Sequence, residues 1–441
     1  MKNSPTRRLL LGTVGVAALA LPLASCSVGS IGGGDGGNAD GLEISVLIAS
    51  SGEGAETIQA MGEAFTAANP DITVTVETQP GGGEGDNLMK TKLSTGEMNT
   101  IFGYNSGSQL QGLKPDENLV DLSDEPWVAD LTEDMKTVVS GENGLYGTPL
   151  GASFGGAVLY NKAIYEELGL EVPQDWASFA ANNEAIKEAG YDAVIQSYGD
   201  PWTSQLWVLG DFANVAAQDP EWAAEYTANN RSYTEQPALQ GLLNQQEAAE
   251  SEWFNEDYAS VLYDDALAKL ANGEGAHYPI LTNAISAIAQ NTPDKVEDIG
   301  VFALPAQNAE DTRLSIWLPN ALYIPTSTEG EELEAAKKFL EFVNSPEGCE
   351  IQNEYLTPGG PYATSACTLP DDAPPMIDDM QAYVDGGLSA PALEFLSPIK
   401  GPALEQLTVE VGSGITTAEK AAAEYDADVV KQAKQLGIDG W

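Results

Sequence analysis

Basic residues are scarce in this chain. Nineteen Lys and Arg stand against 67 Asp and Glu, a formal net charge of −48 over 441 residues, with a pI near 4.1. That balance excludes a nucleic-acid partner, because such binding draws on cationic side chains that displace counterions from phosphate. An anionic membrane face would repel the chain for the same reason, and the charge suits a soluble monomer. Histidine is limited to His277, and neither a Cys-x-x-Cys nor a His-Glu pair at helical spacing occurs, so no metal or other cofactor is expected. Cysteine is limited to Cys26, Cys349 and Cys367. The charge-free apolar run Leu9 to Leu21 has 13 residues, short of the roughly 20 that a membrane-spanning helix needs. What is present is an ordinary globular balance, 43% hydrophobic and 20% charged, which excludes wholesale disorder. The length allows two or three domains of about 150 residues each.

The N-terminus carries an address. Lys2, Arg7 and Arg8 precede the apolar run and read with it as an export signal over residues 1–25. Leu23-Ala24-Ser25-Cys26 matches the bacterial lipobox, in which the cysteine is lipidated and becomes the new N-terminus; a plain secretory cleavage site is the alternative. Thr6-Arg7-Arg8-Leu9 also resembles a twin-arginine signal, so the export route stays open. Removing residues 1–25 takes away three positive charges and no negative ones, leaving 416 residues with a net charge of −51. Residues 26–42, Gly-rich and without apolar periodicity, read as a flexible tether to the extracellular face of the cell membrane. With Cys26 lipidated, Cys349 and Cys367 remain as an even pair. A disulfide between them would be worth ~3 kcal/mol in loop closure, and two separate buried thiols are the alternative.

The folded body starts with a β-rich run, Glu43 to Ala49. Ile58, Met61 and Phe65 then mark one face of a helix that ends at Asn69-Pro70. Ile72 to Glu77 alternates as a second strand, a helix covers Asp86 to Leu93, and Ile101 to Tyr104 is a third strand. This order predicts a right-handed α/β unit on a parallel sheet. Tyr146 to Tyr160 turns β-like, and helices follow over Lys162 to Leu168 and from Trp176 to Gly190. Residues 200–275 are mostly helical in pattern, Ile299 to Pro305 is an apolar strand, and Glu331 to Val343 is an amphipathic helix.

Several motifs could carry chemistry. Gly151-Ala-Ser153-Phe-Gly155 matches the nucleophile elbow G-x-S-x-G, with His277 downstream, so a secreted hydrolase is one reading. Against it, an elbow needs a helix after the serine, whereas Ala157 to Tyr160 reads as a strand. A glycosidase with paired carboxylates is a second possibility, though no motif singles out two of the 67 acids. Gly52-Glu53-Gly54 resembles a phosphate-binding turn, yet Glu53 and Glu56 would repel a pyrophosphate. A neutral polyol suits such a turn better, because a carboxylate accepts bonds from two hydroxyls. Trp202 and Trp207 flank Thr, Ser and Gln, and Trp317 precedes Asn320: flat apolar faces beside amides, as a pyranose ring requires. Trp176, at a helix start, reads instead as a packed anchor.

Taken together, Phe154-Gly-Gly-Ala-Val-Leu-Tyr160-Asn161-Lys162, Glu167-Leu-Gly-Leu170, Pro173-Gln-Asp-Trp176, Asp298 to Pro305 and Ala335 to Pro346 give the mature chain a recognisable likeness. It resembles the extracellular sugar-binding lipoproteins of bacterial ABC importers, the maltose-binding-protein-like group. The resemblance implies an α/β fold of two lobes, each a sheet flanked by helices, joined by hinge strands and closing on a carbohydrate that is passed to permease subunits. Residues 43–150 with 307–345 would build one lobe, and 153–304 with 348–441 the other. Ligand contacts implied by the likeness are Ser51 and Glu53 after the first strand and Tyr104, Asn105 and Ser106 after the third. Trp202, Trp207, Trp317, Asn320 and Tyr362 complete the set. Two departures leave the ligand's size open: Asn99-Thr100 replaces a usual Pro-Asp, and Asn283 stands where a stacking Trp is common.

Overall fold

The computed structural model describes residues 41–49, 54–80, 82–438 and 440–441, with no side-chain description for 82–84. The export signal, Cys26, nearly all of the tether, Ser51 and Glu53 lie outside the described residues. In the rest, two sheets organise the chain. The first runs Ile72–Gln79, Leu42–Ala49, Ile101–Tyr104, Ala321–Tyr323, Gly147–Pro149. Its first three strands are parallel, with Val46 opposite both Val76 and Ile101. Helices Gly54–Ala68 and Gly330–Val343 cover this sheet, and Phe65 meets Phe339 edge-on with ring centroids 5.3 Å apart. Their apolar residues recur at helical spacing, so one stripe of each helix is buried in the first core.

The second sheet is mixed. Its order is Ser389–Pro391, Leu314–Trp317, Phe154–Asn161, Gly275–Leu281, Asp192–Val194, and Ile299–Ala303 also pairs with Phe154–Asn161. Phe154–Asn161 is buried at every position after Phe154, as its continuous apolar run requires of a central strand. Asp175 caps the helix Trp176–Ala189 through a capping box with Ser178, and Gly190 closes that helix in the left-handed conformation. The helical stretch expected over 200–275 is present as a series of short helices and Gln240–Glu250 and Tyr263–Asn272.

Two segments sit on the other lobe from the one expected. Residues 307–317 were assigned to the first lobe, but Trp317 pairs with Phe154 and Ile316 with Pro391, inside the second sheet. The chain therefore crosses at 318–320, where Pro319 interrupts the strand. Residues from 348 onward were assigned to the second lobe, yet Ile351 and Ala363 pack on the first core, and the Thr132 amide donates to the Ala363 carbonyl at 3.0 Å. The return to the second lobe comes only before Met376, which is buried in the second core. Cys349 and Cys367 are joined by a disulfide. Among the described residues, no helix is long and apolar enough to cross a membrane.

Candidate ligand-binding site

A cleft of about 840 Å³ lies between the two lobes. Parallel strands direct their C-terminal ends toward it: Ala49 and Tyr104 line it at the ends of Leu42–Ala49 and Ile101–Tyr104. Two chain crossings and a neighbouring strap form its floor. In the first, Gly151 has φ +89°, a conformation that side chains with a Cβ rarely adopt, and its amide donates to Gln352 Oε1 at 2.7 Å. In the second, the Leu150 amide donates to the Asn320 carbonyl at 2.9 Å. The strap is Leu356 to Tyr362, which leaves the first lobe and comes back to it. Its Gly359 lies so close to the second lobe that a Cβ there would come within 2.7 Å of Asn283 Cα. Thr282 Oγ1 also donates to the Gly359 carbonyl at 2.7 Å.

Four of the expected contact residues converge here: Tyr104, Asn105, Asn320 and Tyr362. Burial, and then the neighbouring carboxylate of Asp86, raise the Tyr104 hydroxyl far above its usual range, so it stays protonated. Tyr362 donates from its hydroxyl to Asn353 Oδ1 at 2.8 Å, which sets the ring's orientation.

The tryptophans are placed differently. Trp207 has 0% exposure, in the core of the second lobe, with Nε1 donating to Gln196 Oε1 at 3.0 Å. Trp317 is 6% exposed and is held by Glu394, which accepts from its Nε1. Trp202 stands behind the wall, its ring centroid 5.3 Å from that of Tyr263, and it is Tyr263 that lines the cleft. Ser106 is buried and donates to the Pro319 carbonyl at 3.0 Å, bracing the second crossing. The structure does not bring these four to the cleft wall, because the likeness and the local composition mark an aromatic or hydroxyl residue without saying which side of a strand or helix it occupies. Trp176 is a buried anchor, with Nε1 donating to Glu247 Oε2 at 3.0 Å.

Other lining residues were not among the expected contacts: Phe154, Tyr263, Asp264, Asn283 and Gln290 from the second lobe, and Asp86 from the first, although Asn283 stands at a position where the family commonly stacks a Trp. Tyr263-Asp264 opens the helix Tyr263–Asn272, and the Tyr263 amide donates to Asp200 Oδ2 at 2.7 Å. An aromatic–acid pair at a helix start was the available hint, but it is a common one.

The hydrolase motif does not assemble. Ser153 is followed by the strand Phe154–Asn161 where an elbow requires a helix. His277 pairs with Tyr160, which stands seven positions along the strand from Ser153, so the two are roughly 23 Å apart at 3.3 Å per residue. Both ring nitrogens of His277 are engaged, with Tyr165 Oη at 2.7 Å and Asn183 Oδ1 at 2.8 Å, and burial lowers its pKa to about 3. Among the described residues, no group of three or more His, Cys, Asp or Glu is arranged to hold a metal ion.

A cleft between two α/β lobes is the arrangement of a receptor that closes on a solute, and the comparison with known proteins decides the family. Residues 49–348 match the model of the bacterial extracellular solute-binding proteins. The chain belongs to that family. This solute-binding protein is 23% identical over 334 residues to the multiple sugar-binding protein of Streptococcus mutans serotype c, covering 72% of this chain and 74% of the relative. Among solved structures, a chitin oligosaccharide binding protein matches with a TM-score of 0.76 at 20% identity, over 90% of this chain and 100% of that one. RafE in complex with raffinose matches with a TM-score of 0.74 at 19% identity, over 90% and 99% of the two chains. At these identities the structural likeness establishes the fold alone.

Proposed function

We propose that this solute-binding protein is a carbohydrate receptor, tethered through a lipid on Cys26 to the outer face of the cell membrane, that delivers its ligand to the permease subunits of an ABC importer. The observation that carries this reading is the composition of the cleft: aromatic rings at Tyr104, Phe154, Tyr263 and Tyr362 beside the amides Asn105, Asn283 and Asn320. A sugar presents an apolar C–H face for the rings and hydroxyls for the amides, which both donate and accept. The names of the sugar-binding relatives support the same class. Its working step is closure: a ligand that touches both lobes stabilises the closed form by the contacts the open form lacks.

A saccharide panel tests the reading, with melting temperature and product formation followed together. A reversible upward shift without turnover is expected, with linkage giving ~2.7 kcal/mol of stabilisation at a hundredfold excess over Kd. Turnover of the bound sugar would overturn it in favour of an enzyme. For the anchor, Cys26→Ser should release the protein from the cell surface and leave its affinity unchanged. Persistent partition of that variant into the detergent phase would refute the lipid assignment.

A further inference from the structure

The charge of the cleft narrows what it accepts. Three carboxylates line it, Glu56 and Asp86 from the first lobe and Asp264 from the second, and no Lys, Arg or His is among the lining residues. The chain between lining neighbours adds no cation by sequence: Ser50-Ser51-Gly52-Glu53 joins Ala49 to Gly54, and Gly81-Gly82-Gly83-Glu84 joins Pro80 to Gly85. None of the three carboxylates takes part in an ion pair among the described residues.

Gln79 is an independent observation. It lines the cleft and is only 6% exposed, and among the described residues its Oε1 accepts no hydrogen bond. Among the described residues its Nε2 has Met89 Sδ as hydrogen-bond partner, at a long 3.9 Å. A buried acceptor without a donor is costly, and a donor brought by a ligand would offset that cost. The site thus holds an excess of acceptors, matched by the O–H groups of a polyol. A ligand with its own carboxylate or phosphate would bring like charge into a partly desolvated space that holds no cation to pair with it.

We propose that the cleft takes saccharides free of negative charge and that Glu56, Asp86 and Asp264 reject acidic ones: uronates, sialosides and sugar phosphates. The proposal rests on the carbohydrate reading and adds its substrate class. The protein's overall charge also repels anions, but that long-range effect is screened by salt, the Debye length falling to roughly 4 Å at 0.5 M. Rejection that survives such salt is local to the cleft.

The test is isothermal titration in 0.5 M NaCl with matched pairs: lactose and 3′-sialyllactose, galactobiose and digalacturonate, maltotriose and its 6-phosphate. A neutral sugar that binds should lose about 100-fold or more in affinity when replaced by its acidic counterpart. Combining Glu56→Gln, Asp86→Asn and Asp264→Asn should narrow that gap by about tenfold or more, which separates charge from the larger size of the acidic partner. Asp264→Asn alone, at an exposed helix start, should narrow it in part, and it serves if the triple variant does not fold. An acidic sugar that binds as well as its neutral counterpart, or a gap unchanged in the variants, overturns the proposal. Failure of every sugar, neutral and acidic, would instead overturn the carbohydrate reading beneath it.

Discussion

At the scale of single residues, the structure separates aromatic side chains that face the cleft from those that hold the fold. Tyr263 lines the cleft with Trp202 packed behind it, whereas Trp317 is buried against Glu394. Tyr263→Ala is therefore expected to weaken saccharide binding by on the order of 2 kcal/mol with a small change in melting temperature. Trp317→Ala should do the reverse, with a cost of about 3 kcal/mol or more in folding. Titration calorimetry and thermal melts on the two variants check this directly. Two buried titratable groups set opposite pH dependences. Burial raises the Asp211 carboxyl to about 7 and lowers the His277 imidazole to about 3. In the unfolded chain these groups titrate near ~3.9 and ~6.5. Asp211 therefore contributes stability that is lost as pH rises toward 7, and His277 contributes stability that is lost as pH falls below 6.5. From about pH 4 to 6.5 the two slopes oppose each other, each of the order of 1.4 kcal/mol per pH unit. Asp211→Asn removes one of them, so the variant should gain on the order of 2 kcal/mol relative to the wild type between pH 5 and 6.5. Urea unfolding at the two pH values measures it, and a difference that stays flat would mean Asp211 titrates normally.

Among elements, the strap between Cys349 and Cys367 is the most informative. The disulfide closes a loop spanning 18 sequence positions, and the middle of that loop, Leu356 to Gly359 with Tyr362, lines the cleft. Its far end is pinned to the first lobe by the Leu131–Thr364 bridge and by the Ser365 amide, which donates to the Asp130 carbonyl at 2.8 Å. Its centre leans on the second lobe through Thr282 and Ser286. Replacing both cysteines by serine should lower the unfolding free energy by ~3 kcal/mol through the loop-closure entropy of the unfolded chain. It should also weaken ligand binding, because a loosened wall must be ordered when the ligand arrives. Unfolding and titration with and without reductant would show both effects in the wild type and neither in the double variant. An unchanged wild-type affinity after reduction would leave the disulfide a purely structural clasp.

For the whole molecule, closure is the behaviour that the two sheets and three crossings make available. A saccharide that binds should reduce the radius of gyration in solution scattering, since both lobes carry lining residues and neither surrounds the ligand alone. Scattering curves that superimpose with and without a saturating sugar would argue for a rigid cleft. Much of this organisation was legible beforehand. The strand–helix alternation over residues 43–104 announced a parallel α/β unit, and Tyr104, Asn105, Asn320 and Tyr362 were placed in the cleft from family likeness. The lobe membership of 307–317 and of 348–367 was not legible, because a strand or helix pattern reports one buried face and not which of two cores buries it.

The chain's order of apolar residues, its caps and its breaks marked by themselves where helices and strands form, since those follow short local periods, three to four positions for helices and two for strands. Its acid surplus and its three cysteines likewise set the charge and the available pairing before any folding. Only the tertiary structure decided that Trp207 and Trp317 are core while Tyr263, Asp264, Asn283 and Gln79 face the cleft. Ring and amide chemistry is the same in both places. What differs is which partner lies across the gap, another element or solvent, and that is settled by contacts between separate elements, such as Trp317 with Glu394, which no local pattern reports.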